Sequence, residues 1–169
     1  MTRARAVQVS VLLLILAGQS QDVACRRHGA EGQSDAEAVL RAALLHALVD
    51  PGDLPDRALV AEAAEVIVRS TIPGSDLRIP SSALPKVEGK TVRLVSDQEA
   101  QALAGSRGDL YVVAVNELSL AGDEASLIVG VAMVTSPVRP VLCCCSAKVR
   151  YAREHGAWMY KGVTQQICS

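Results

Sequence analysis

The residues with the richest chemistry in this chain are its five cysteines and three histidines. The cysteines are Cys25, the consecutive run Cys143-Cys144-Cys145, and Cys168. Thiolates can bind metals, carry redox chemistry or form disulfides. Neighbouring residues of a strand point to opposite faces, so three consecutive cysteines on a strand cannot all ligate one ion. Zinc sites with two residues between paired cysteines are absent, and so is the Cys-x-x-Cys redox motif. A structural disulfide is the first reading, with buried free thiols and a metal or redox site as its alternatives. The odd count leaves at least one thiol free, or pairs it with another chain.

The disulfide reading comes with a register argument. His155-Gly156 reads as a two-residue hairpin turn, which sets Glu154 opposite Ala157. Tyr151 then faces Tyr160, Arg153 faces Trp158, and Cys143 faces Cys168. An opposed pair with short Cβ separation can be bridged. We therefore expect a disulfide between Cys143 and Cys168, and one bulge would bring Cys144 opposite instead.

The histidines are His28, His46 and His155. None has a nucleophile or carboxylate partner nearby in sequence. His28 lies in a loose lead-in and His155 in a tight turn. His46 sits near the edge of a helix's apolar arc. Asn116 and Glu117 interrupt an apolar strand that begins near Tyr111. His46, Tyr111, Asn116 and Glu117 are the candidate ligand-binding residues, as polar groups at the floor of a cavity between helix and sheet. The plainer reading sets Glu117 on the solvent face and has Asn116 satisfy backbone groups. Arg107-Gly108-Asp109 spells an adhesion tripeptide but also a polar turn before a strand. Trp158 closes the edge of the core and needs a partner for its N–H. We find no phosphate-binding glycine loop, dinucleotide fingerprint, zinc-protease helix or serine-nucleophile elbow, so no catalytic residue, cofactor or metal is assigned.

Several elements must position these residues. Ser34 and Glu37 form a capping box, and Leu40, Leu44, Ala47 and Leu48 recur at helical spacing. That helix stops near Asp50, before Pro51-Gly52. Residues 57–72 read as a helical turn or two running into the β-branched Val66-Ile67-Val68. Residues 73–90 hold Pro73, Gly74, Pro80, Pro85 and Gly89, and form an ordered loop. Thr91–Val95 is a short strand, and Asp97–Ala104 one or two helical turns. Leu110–Leu120, Ala125–Thr135, Val141–Arg153 and Ala157–Ile167 follow as strands, the first two joined at Gly122-Asp123. The predicted fold is α+β: an N-terminal helix packed on a curved, mainly antiparallel sheet of four to six strands.

The chain has 169 residues, room for one domain. Lys and Arg number 17 against 18 Asp and Glu, and aromatics are Trp158, Tyr111, Tyr151 and Tyr160 alone. With no cationic excess and few aromatics to stack on bases, nucleic acid is not the expected partner. Arg3 and Arg5 precede an apolar run over 7–17 and the small residues Gly18 and Ser20, the order of a secretory signal peptide. The run is too short to span a bilayer. We expect a signal peptide over 1–20, a lead-in over 21–33 and one domain over 34–169, with a periplasmic or extracellular product. Loss of the leader would remove Arg3 and Arg5 and leave a more acidic product. Ala24-Cys25 offers a lipidation site as a minority reading, because Asp22 stands where an apolar residue is wanted.

The final hairpin, Tyr151-x-Arg153-x-x-Gly156-x-Trp158-x-x-x-Gly162, resembles small exported bacterial domains of nuclear-transport-factor-2-like or cystatin-like build. The resemblance spans 34–167 by architecture and 110–162 by motif. It implies a helix covering a curved sheet, and transfers no catalytic residue. The expected function is an exported, non-enzymatic binding or structural module with a small-molecule or protein partner. The alternative is a small-ligand enzyme or carrier with a pocket between helix and sheet.

Overall fold

The computed structural model describes residues 34–49, 52–56, 58–135 and 144–168. The expected leader, the lead-in with His28, Cys25 and Cys143 lie outside the described residues. From Ala36 onward the chain forms one compact unit. Helix α1 spans 34–49. It is followed by the short helix α2 (Ala58–Ala61), strand β1 (Glu65–Arg69), a 3-10 turn (Ser81–Ala83), β2 (Thr91–Val95), α3 (Asp97–Arg107), β3 (Leu110–Ala121), β4 (Glu124–Val134), β5 (Cys145–Glu154) and β6 (Ala157–Cys168).

The six strands form one sheet in the order β2-β1-β3-β4-β5-β6. β1 pairs in parallel with both β2 and β3, and the remaining three pairings are antiparallel. The expected α+β class and N-terminal helix are present. The expected curvature is not: the sheet is mixed and open, with β2 and β6 as its two edges. Two five-residue parallel strands extend the antiparallel meander sideways, so the sheet spreads instead of curling onto itself.

Each face of the sheet has its own cover. The stripe Val39, Leu40, Ala43, Leu44, Ala47 and Leu48 of α1 packs with Val66, Val68, Val113, Val115, Leu127, Val129 and Val149. Each fully buried leucine here contributes about 1.5–3 kcal/mol. On the opposite face Ala100 and Ala104 of α3 pack on Ile67, Val95, Val112 and Val134. β1 is thus covered on both sides, which is why Val66-Ile67-Val68 is continuously apolar. α3 runs to Arg107, further than the expected one or two turns. It starts with a capping box, in which Ser96 Oγ accepts from Glu99 N at 3.2 Å and Glu99 Oε2 accepts from Ser96 N at 2.7 Å. It stops at Gly108, whose φ of 92° suits glycine alone.

Bulges decide which side chains face the core. Val115 pairs with Val129 but Glu117 pairs with Ile128, so Asn116 is an extra residue in β3. The insertion reverses the alternation. Leu118 packs on the core where Glu117 would otherwise point, and Glu117 is exposed, 3.8 Å from Lys148 Nζ. In the last hairpin His155 and Gly156 both have positive φ, as a two-residue turn requires. The pairs Glu154/Ala157, Arg153/Trp158 and Tyr151/Tyr160 stand as expected. Two register shifts in β6 then move the pairing by two residues. Cys168 therefore faces and bonds Cys145, not Cys143, with a Cα–Cα distance of 4.1 Å. Cys144 is also disulfide-bonded.

Candidate functional site

The buried stripe of α1 does not use all its apolar residues. Ala42, Leu45, His46 and Val49 recur at i, i+3, i+4 and i+7, and so form a second stripe beside it. Leu45 is 46% exposed and Val49 57%. Both are large aliphatic side chains left in solvent on one side of one helix.

This second stripe faces the end of the β5–β6 hairpin. The register that pairs Tyr151 with Tyr160 and Arg153 with Trp158 puts three aromatic rings on the α1 side of the sheet. Ala42, Leu45, His46 and Val49 from α1 and Tyr151, Trp158, Met159 and Tyr160 from the hairpin line a cleft of about 320 Å³. That volume is at the lower end for small-molecule sites. Three of the chain's four Phe, Trp and Tyr residues thus meet at one place.

The rings are ordered by contacts with each other and with charged neighbours. His46 stacks on Tyr160 with centroids 3.9 Å apart and planes 23° apart. Tyr151 meets Tyr160 edge-on at 5.7 Å. The Arg153 guanidinium lies 4.8 Å over the Trp158 ring. Tyr160 Oη donates to Asp53 Oδ2 at 3.2 Å. Burial, then this hydrogen bond and the Asp53 charge, push the Tyr160 hydroxyl up to about 12. Burial pushes Tyr151 up further, with the Tyr160 charge second. Both phenols stay protonated at neutral pH. The Tyr151 hydroxyl is buried and has no hydrogen-bond partner among the described residues.

A second cleft of about 490 Å³ lies on the other side of Leu45 and Val49, bounded by Val60, Val87, Lys86, Glu88 and Lys90. Lys90 is committed to structure there. Its Nζ donates to the carbonyls of Val60 at 3.0 Å, Ala63 at 3.2 Å and Ala61. A further cavity of about 10 Å³ lies near Leu54, Val60 and Val113.

Of the four candidate residues from sequence, only His46 lines one of these clefts. Tyr111 lies at the start of β3 opposite Met133, 36% exposed. Asn116 is the bulged residue of β3, and Glu117 faces solvent. Arg107 of the adhesion tripeptide pairs with Glu65 at 2.8 Å, and Gly108 ends α3. Sequence reasoning missed Leu45, Val49, Tyr151 and Tyr160 as site residues. The available signal was a helix with more apolar positions than one stripe needs, beside a hairpin that gathers rings.

Among the described residues no group of three or more His, Cys, Asp or Glu could hold a metal ion. No helix among them is long and apolar enough to cross a membrane. No family model matches this chain, and the comparisons with curated proteins and with solved structures give no match either, so the resemblance read from the hairpin finds no support there.

Proposed function

We propose that this chain is an exported, disulfide-braced, non-enzymatic binding module, and that the cleft between α1 and the β5–β6 hairpin is its binding site. The observation that carries this reading is the convergence of Tyr151, Trp158, Tyr160 and His46 beside the exposed Leu45 and Val49. Solvent-facing aliphatic groups against ordered rings lower the cost of desolvating a ligand. The Cys145–Cys168 bond and the absence of a spanning helix among the described residues are compatible with export. The alternative, an enzyme or carrier with a pocket between helix and sheet, would use the same cleft, and turnover of a bound small molecule would favour it over simple binding.

Trp158 is the only tryptophan in the chain and lines the cleft, so its emission reports occupancy directly. A screen of non-aromatic fragments such as cycloalkanols should change that emission saturably. Intact mass of the protein from the exported fraction of its host should show residues 1–20 missing. Unchanged emission across the screen, or an intact N-terminus, counts against the reading.

A further inference from the structure

The bond between Cys145 and Cys168 sits where β6 has lost its hold on the core. We infer that it is a reducible latch: a dithiol opens it, residues 164–168 peel away from β5, and the rest of the sheet stays folded. The latch does not depend on the cleft, because the bond lies at the opposite end of the hairpin from Tyr151, Trp158 and Tyr160.

Burial along β6 is the first observation. Trp158, Tyr160 and Val163 pack toward the core, and after Val163 residues 164–168 are all exposed. β6 is also an edge of the sheet, so its outer side meets no further strand. Its end is held by one ladder of backbone bonds to β5, by Thr164 Oγ1 donating to the Lys148 carbonyl at 3.1 Å, and by the bridge. Segments with few buried apolar contacts and exposed backbone bonds open locally at low free energy. Without the bridge, little else opposes fraying here.

The second observation is the unequal setting of the two sulfurs. Cys145 is half-buried and anchored: its amide donates to Asp56 Oδ2 at 2.6 Å, and residues 146–148 after it pair with 128–130 of β4. Cys168 is exposed on the free edge. Exposed disulfides are the labile ones, and access decides which sulfur is attacked. A thiolate of the dithiol therefore attacks Cys168 Sγ and forms a mixed disulfide there. The Cys145–Cys168 bond breaks, and Cys145 leaves as a thiolate that takes up a proton. The second thiolate of the dithiol then attacks the mixed disulfide, frees Cys168 as a thiol and closes an internal disulfide in the dithiol. Two electrons and two protons have passed to the bridge. Residues 146–148 keep β4 on one side and present free backbone groups on the other, a template for strand pairing.

The test treats the oxidised full chain with dithiothreitol in the absence of denaturant. Alkylation with peptide mass mapping reports which cysteines open, and amide NMR reports where the structure changes. Cys145 and Cys168 should become alkylated. The amide resonances of 165–168 should move to unstructured positions and those of 146–148 should shift, while β1, β3 and Trp158 emission stay as they were. Reoxidation should restore the starting spectrum. Cys144 is bonded as well, so the Cys145→Ala/Cys168→Ala variant separates the two bonds. It should show the opened end without dithiol and no further change over 165–168 with it. A bond that resists excess dithiol until denaturant is added would overturn the latch. So would resonances of 165–168 that keep their positions in the reduced chain, or loss of the β1 and β3 resonances in the reduced chain or the variant.

Discussion

His46 and Tyr160 lie face to face, 3.9 Å between ring centroids, although 114 positions separate them in the chain. The stack joins α1 to β6, and Tyr160 Oη extends the link to Asp53 in the loop that follows α1. A helix stripe, a hairpin register and a loop carboxylate thus converge on one ring. Neither α1 nor the hairpin makes the cleft alone.

The tyrosines make stability depend on alkaline pH. Burial raises Tyr160 to about 12 and Tyr151 higher, above the ordinary phenol value near 10. Their contribution is fully present below pH 10, where both are protonated folded or unfolded. Above that the unfolded chain releases protons first, so stability falls as pH rises toward the folded values. Urea unfolding should give a steady midpoint up to about pH 9 and a falling one from 10 to 12. The Tyr151→Phe/Tyr160→Phe variant should lose less over that interval. An equal fall in the variant would contradict the assignment.

The Cys145–Cys168 bond closes a 23-residue separation and ties edge strand β6 to β5. Replacing both by Ala should cost about 2–4 kcal/mol in denaturant unfolding. Digestion without reduction should release a peptide pair linking Cys145 to Cys168. A link from Cys168 to Cys143 would contradict the register described here.

That register shows how far the sequence could be read. The turn at His155-Gly156, the pairs down to Tyr151/Tyr160 and the existence of a bridge to Cys168 follow from local chemistry. The partner cysteine does not. Two bulges lie between the turn and the chain end, and their positions at Lys148/Val149 and Arg150/Tyr151 depend on which β6 residues the core accepts. Glu117 is a similar case, because the extra Asn116 preserves an apolar face that simple alternation would break. The parallel pairing of β1 with β2 is reached through the long segment over 70–90 and that with β3 through α3 on the opposite face, long-range arrangements without a local signature. The cleft was legible only as His46 at the edge of an apolar arc. Its rings come from a distant hairpin.

Gly130 is required by close approach. A Cβ there would meet Ser146 Oγ at 2.5 Å, Ser146 Cα at 2.7 Å and the Cys145 carbonyl at 2.8 Å. Two of these are backbone atoms of the paired strand and cannot rotate away. Gly130→Ala should destabilise by about 1–3 kcal/mol through displacement of β5. Chemical denaturation checks this, and an unchanged midpoint would show that β4 and β5 lie further apart.

Lys90 acts as a cap for the end of α2. Its ammonium donates to three carbonyls at and just beyond the helix end, of Val60, Ala61 and Ala63. Lys90→Met keeps the aliphatic stem and removes the donors. The expected cost is about 1–3 kcal/mol, with faster amide exchange over 58–64. A neutral effect would mean that water serves these carbonyls equally well.

The function proposed for this chain rests on ligand binding in the cleft between α1 and the β5–β6 hairpin. The most direct measurement is an amide NMR titration of the full chain with 2-naphthol, repeated on Leu45→Lys. Saturable shifts confined to residues 42–49 and 151–160, absent in the variant, are expected. Shifts elsewhere, or shifts that survive Leu45→Lys unchanged, would contradict binding there.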